Sequence, residues 1–146
     1  YVFIFLGIIF LGIAYYGISP LFRTITLDES APVENVKQEQ AVRTAPVIPT
    51  PAHLASGTVR VVESEGKTFI RYENYKTING PDLYVYLAKD LTAKEFVSLG
   101  RIKATEGNVN YEIPPEVNIS DYPYVLTWCK AFGVLFNSAN LSSLVN

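Results

Sequence analysis

Few residues in this chain have chemical reach. The stretch YVLTWCKAFGVLF, Tyr124 to Phe136, holds the single tryptophan and the single cysteine side by side, as Trp128 and Cys129. A lone thiol beside a large aromatic serves as a redox or ligand centre, or as packed core. One cysteine allows no intrachain disulfide, so the fold stands on its core alone. One histidine, His53, and no methionine rule out a blue-copper set of two His and one Cys within one copy. Haem iron takes a His, Met or Cys axial ligand, which leaves Cys129 or a partner chain to hold it. His53 lies in a proline-rich stretch and reads as solvated, and no metal site is expected.

The carboxylates Glu63, Glu65, Glu73 and Asp90 are scattered, and no pair has the spacing of a general acid and base. With His53 outside the strands, no Ser-His-Asp set is available either. The chain has no catalytic constellation of its own and reads as non-enzymatic. Its 146 residues carry a net charge of -2, which gives no basic face for nucleic acid.

Strand alternation decides what Cys129 faces. In YVLTWCK, Val125, Thr127 and Cys129 share one face, and Tyr124, Leu126, Trp128 and Lys130 share the other. If Val125 points inward, so does Cys129, and a buried structural thiol is inert. A reactive thiol needs exposure and a positive neighbour. Lys130 points away, so Arg101 would have to approach from another strand. Both roles stay open here. Trp128 with Tyr84, Tyr86, Tyr111, Tyr122 and Tyr124 offers an electron relay, though aromatics are ordinary in strands. Asp82, after Gly80-Pro81, fits an aspartate that bonds turn amides. Asn118 in NIS and Asn140 in NLS fit the glycosylation sequon.

The elements that must position these residues fall into three parts. YVFIFLGIIFLGIAYYGISPLF, residues 1–22, contains no charge. As a helix it would span about 33 Å, enough for a hydrocarbon core of roughly 30 Å. It is longer than a signal peptide's apolar region and no A-x-A site follows it. Tyr15 and Tyr16 sit where an aromatic belt meets the headgroups, and Pro20 marks the exit. Residues 1–22 therefore read as a transmembrane helix in contact with lipid. Residues 23–56 read as an extended tether with Pro32, Pro46, Pro49 and Pro51. Its Arg23, Lys37 and Arg43 are balanced by Asp28, Glu29, Glu34 and Glu39, which suits the outer side of a cell membrane.

Residues 57–146 read as all-β. TVRVVES and KTFIRYENY are joined through Glu65-Gly66 as a hairpin. LYVYLAKD is apolar on both faces and so is a central strand. VSLGRIK follows, and NVNYEIP alternates with Val109, Tyr111 and Ile113 inward. YVLTWCK and GVLF form the last pair, turning at Lys130 to Gly133. Leu91 to Phe96 is expected to hold a helical turn. Short strands with turns between them imply an antiparallel sandwich or partly open barrel.

Several separated motifs resemble one family. They are Asn79-Gly80-Pro81-Asp82-Leu83-Tyr84-Val85-Tyr86-Leu87, Leu99-Gly100, Gly107 with Asn110-Tyr111, and Trp128-Cys129 followed by Phe132-Gly133-Val134-Leu135-Phe136. In this order they resemble the DM-thirteen domain, the small domain paired with DOMON modules in Skeletor-type proteins. The resemblance covers Gly57 to about Leu141, and GISPLF is similar to the membrane exit of prokaryotic single-pass members. It implies a β-rich electron-transfer module whose signature cysteine, here Cys129, acts as a bare thiol or ligates a prosthetic group such as haem, with Trp128 beside it. No DOMON module is present, so a cofactor-bearing module would be another chain. The reading is a single-pass, extracytoplasmic domain of a membrane electron-transfer system, working through or around Cys129. Its alternative is a non-catalytic accessory or binding subunit of a larger membrane complex. Either way the expected partners are membrane proteins or a redox complex.

Overall fold

The structure is a computed structural model that describes residues 1–33 and 43–144. Glu34, Lys37 and Glu39, the middle of the expected tether, lie outside the described residues. Helix α1 (Val2–Ile18) runs into a short 3₁₀ turn at Ser19–Phe22. Val2–Phe22 is long and apolar enough to cross a membrane, and none of it is buried in the protein.

Among the described residues ten strands follow: β1 (Thr26–Asp28), β2 (Ala45–Pro46), β3 (Ile48–Pro49), β4 (Ala55–Ser64), β5 (Lys67–Thr77), β6 (Leu83–Ala88), β7 (Phe96–Arg101), β8 (Glu106–Ile113), β9 (Tyr124–Cys129) and β10 (Val134–Asn140). They form two sheets, ordered β1-β8-β5-β4-β2 and β3-β10-β9-β6-β7. The result is a sandwich, with no closed barrel. The inward positions predicted from alternation are filled as expected, with Val109, Tyr111 and Ile113 buried on β8 and Val85 and Leu87 buried on β6. They meet Val59, Ile70, Tyr72 and Val125 between the sheets.

Three expectations need correction. The stretch read as tether contributes β1, β2 and β3, all at sheet edges. Pro46 and Pro49 sit there because an edge strand can spare the N–H that proline lacks. Ala45 and Val47 beside them are buried. Next, the sheets are not wholly antiparallel: β1 runs parallel to β8. The Ile25 amide donates to Thr105 Oγ1 at 2.8 Å, so the chain leaves the helix at the start of β8 and follows it. Finally, Leu91 to Phe96 holds no helix. Asp90 Oδ1 accepts from the Thr92 amide and hydroxyl at 2.7 and 2.6 Å, and Ala93 takes φ +51°. Both features close a tight turn in place of a helical one.

A buried polar bridge joins the sheets. Tyr75 Oη lies 2.9 Å from Thr127 Oγ1, and Asn137 Nδ2 donates to Tyr75 Oη and to Thr77 Oγ1, both at 3.1 Å. Tyr72 Oη, also fully buried, has no partner in hydrogen-bonding geometry among the described residues. An unpaired buried hydroxyl carries its desolvation cost without return. Tyr72→Phe should therefore leave stability unchanged or raise it by about 1 kcal/mol in a denaturation curve. A clear loss would mean the hydroxyl is paired.

Candidate functional site

Cys129 closes β9, and its position follows from the strand's period of two. Val125, Thr127 and Cys129 all face inward at 0 % exposure. The thiol packs against Leu83 and Phe136, with Ile78 and Ile102 alongside. The NGPD loop, Asn79 to Asp82, builds one wall. Asn79 Oδ1 accepts from the Gly80 amide at 2.8 Å, folding the loop on itself. A Cβ on Gly80 would lie 2.8 Å from Phe136 Cζ, so glycine lets the loop close over the ring. On the far side His53 stacks on Phe136, with centroids 3.9 Å apart and planes 18° off parallel.

His53 thus differs from the solvated linker residue expected. The Thr50-Pro51-Ala52-His53 turn, closed by the His53 amide on the Thr50 carbonyl at 3.1 Å, folds the ring inward. Thr50 Oγ1 lies 2.8 Å from His53 Nδ1. Burial lowers the imidazole's pKa, against a hydrogen bond to the Leu135 backbone that raises it. The proline at the second turn position was the available signal for this turn.

Asp82 also departs from the turn-amide role. Its carboxylate Oδ1 accepts from Arg101 Nη2 at 2.7 Å, and its carbonyl accepts the Lys130 amide at 2.9 Å. Arg101 and Lys130 both stand over the Tyr84 ring, 5.3 and 5.4 Å from its centroid. Arg101 is therefore occupied on the outer face, and it does not serve Cys129.

Trp128 pairs with Tyr84 across β9 and β6. It lies on the outer face with Tyr86, Leu126 and Leu135, so Trp128 and Cys129 are neighbours in sequence on opposite sides of a sheet. Tyr111 belongs to the other sheet, where its hydroxyl accepts the Lys103 amide at 2.9 Å. Phe132 is exposed at the tip of the last turn. Asn118 and Asn140 are both exposed, and each Oδ1 accepts from the serine amide two residues on.

Does haem fit at Cys129? Ligation needs an open face at Sγ and space for a macrocycle. Here Leu83, Phe136, Ile78 and Ile102 fill that space. A cleft of about 240 Å³ is lined by Leu83 and Ile102 but not by Cys129. Ligand-sized sites begin at roughly 300 Å³. The residues around Cys129 do not fit a haem on this sulfur.

The family model described as Electron transfer DM13 matches residues 48–141. The chain belongs to this DM13 family. Membership supports a redox-related role, and of the motif residues Asn79, Gly80, Leu83 and Phe136 lie at the end of the DM13 head that encloses Cys129. No curated protein and no solved structure matches the chain.

The DM13 head is also fixed to the helix by charge. Glu29 accepts from the Asn110 amide at 2.6 Å and pairs with Lys103 Nζ at 3.0 Å. Arg71, buried on the outer side of β5, donates to the Glu29 carbonyl at 3.0 Å and pairs with Glu73 at 2.7 Å. Burial raises the pKa of Glu29 and Glu73, but these amide and cation contacts outweigh it, so both titrate below their ordinary 4.5. A lowered folded pKa contributes stability that is full above pH 4.5 and drains as pH falls through the folded values. The melting temperature should hold from pH 7 to about 5 and drop below 4.5. Glu29→Gln should flatten that drop, and an unchanged acid limb would remove the carboxyl from the account.

Proposed function

We propose that this chain is a single-pass membrane protein whose DM13 head serves an extracytoplasmic electron-transfer system as a docking module. Cys129 then acts as an interior residue that shapes the head, and not as an open thiol. The observation that carries this reading is the complete burial of Cys129 among apolar side chains. The uncharged, unpacked helix Val2–Phe22 supports a cell-membrane anchor. The balanced charges after it and the exposed sequons at Asn118 and Asn140 support the outer side. The redox cofactor in this reading belongs to a partner membrane chain, because the head offers Cys129 no room for one.

The test is gentle extraction from the native membrane, with a visible spectrum and a thiol titration before and after denaturation. The expected outcome is co-purification with a redox-active partner, a spectrum unchanged by Cys129→Ala, and a thiol that reacts only on unfolding. A chromophore lost with Cys129→Ala, or a thiol that reacts in the folded head, would instead make Cys129 the working redox centre. A lone, colourless, monodisperse monomer would remove the docking partner.

A further inference from the structure

The turn between β9 and β10 carries a phenylalanine at its tip. Phe132 is 56 % exposed, on a turn whose place in a soluble sandwich would suit a polar residue. Its surroundings explain it. A Cβ on Gly17 of α1 would lie 3.8 Å from Phe132 Cζ, so the ring rests beside the last turn of the helix. Gly17 lies inside the uncharged stretch, five residues before its end at Phe22. Tyr15 and Tyr16, the aromatic-belt pair, flank the same level. Whatever medium surrounds the helix at Gly17 therefore also surrounds Phe132.

The head is held in this pose by hydrogen bonds. Asn79 Nδ2 donates to the Arg23 carbonyl at 3.0 Å, and the Thr105 amide donates to the Ile25 carbonyl at 2.8 Å. The same end of the sandwich exposes Leu21, Phe22, Ile25, Leu54 and Val134. Arg23, Lys130 and Arg101 flank this apolar rim, with Arg101 also paired to the Asp82 carboxylate at 2.7 Å. An apolar tip bordered by cations and an aromatic belt is the pattern of a surface that sits in the plane of a bilayer interface, with its cations near the lipid phosphates.

We propose that this end of the head is seated in the membrane interface. Phe132 enters the boundary between headgroups and acyl chains beside α1, and Arg23, Lys130 and Arg101 lie at phosphate depth. The inference rests on α1 crossing the membrane, and its occupant is the lipid bilayer. The end around Cys129 then faces lipid, while the β4–β5 hairpin stands away from it by the length of a 10-residue strand, roughly 33 Å.

The experiment uses the full chain in vesicles of phosphatidylcholine and phosphatidylglycerol. A nitroxide is placed singly through Ile9→Cys, Phe132→Cys or Glu63→Cys, with the unsubstituted chain as the blank for Cys129. Collision with oxygen, which partitions into lipid, is compared with collision with a water-soluble nickel chelate. Positions 9 and 132 should both lose chelate collisions and keep oxygen collisions, while position 63 keeps the chelate. Position 9 in lipid with position 132 as wet as position 63 would overturn the seating and leave the anchor standing. Position 9 in water would overturn the anchor, and the seating with it.

Discussion

Cys129 in the folded head should react with a thiol reagent several thousand-fold more slowly than the same cysteine in the unfolded chain. The thiol is fully buried, so reagent reaches it only when the cluster around it opens. That cluster lies on the inner face of the adjacent strands β6, β9 and β10, with Ile78 and Ile102 packed over it, so these side chains must move away before reagent reaches the sulfur. If opening equals global unfolding and the head is worth about 5 kcal/mol, at the low end for a domain, the open fraction is roughly one in several thousand. A redox thiol kept ready for exchange would show no such factor. Phe136→Ala provides the internal control. Truncating a buried aromatic costs about 3–5 kcal/mol, so the head should then open far more often and labelling should accelerate by roughly a hundredfold or more. Cys129→Ser should itself destabilise by about 1–3 kcal/mol, since it leaves a hydroxyl in an apolar cluster. Labelling of the native protein at the unfolded rate would defeat the packing argument at its base.

The sequence tied the orientation of Cys129 to that of Val125, because β-structure repeats every two residues, and the structure places both inward. The strands from β4 to β10 were readable for the same reason, helped by glycine and proline at their turns. β1, β2 and β3 were not. Two- and three-residue strands are too short to show a period, and prolines that signal a free tether also suit a sheet edge. The Asp82–Arg101 pair was hidden for another reason. Its partners are far apart in sequence and meet only through the register that sets Tyr84 against Arg101. His53 needed the knowledge that β3 lies beside β10, which brings its turn over Phe136. Local pattern reveals which way a side chain points, whereas the identity of its neighbour is a property of the register.

Gly107→Val should separate the head from the helix while leaving Cys129 closed. Gly107 sits at φ +122°, and a Cβ there would lie 1.9 Å from the Leu27 carbonyl oxygen. The obstacle is backbone on the facing strand, so no side-chain rotation relieves it, and the dihedral itself is strained for any residue with a Cβ. The cheapest relief is expulsion of β1, a three-residue edge strand. Its loss would release the Glu29 amide from Asn108 and the Thr105 amide from Ile25, both readable as faster hydrogen exchange. Glu29 would lose its Asn110 and Lys103 contacts, so its carboxyl would return toward 4.5. The head should lose roughly 3 kcal/mol, or some 12–24 °C in melting temperature. Protected amides with an unchanged melting temperature would show that β1 does not hold the head. With β1 in place the link from α1 to the head has almost no slack, and the head keeps one pose relative to α1. Without it the head swings on a flexible segment, yet the cluster of Leu83, Cys129 and Phe136 is untouched. If the chain works by presenting a docked surface, Gly107→Val abolishes partner coupling, while thiol labelling rises only by the roughly hundredfold that the lost stability gives and stays well below the unfolded rate. A redox thiol would be indifferent to the same change.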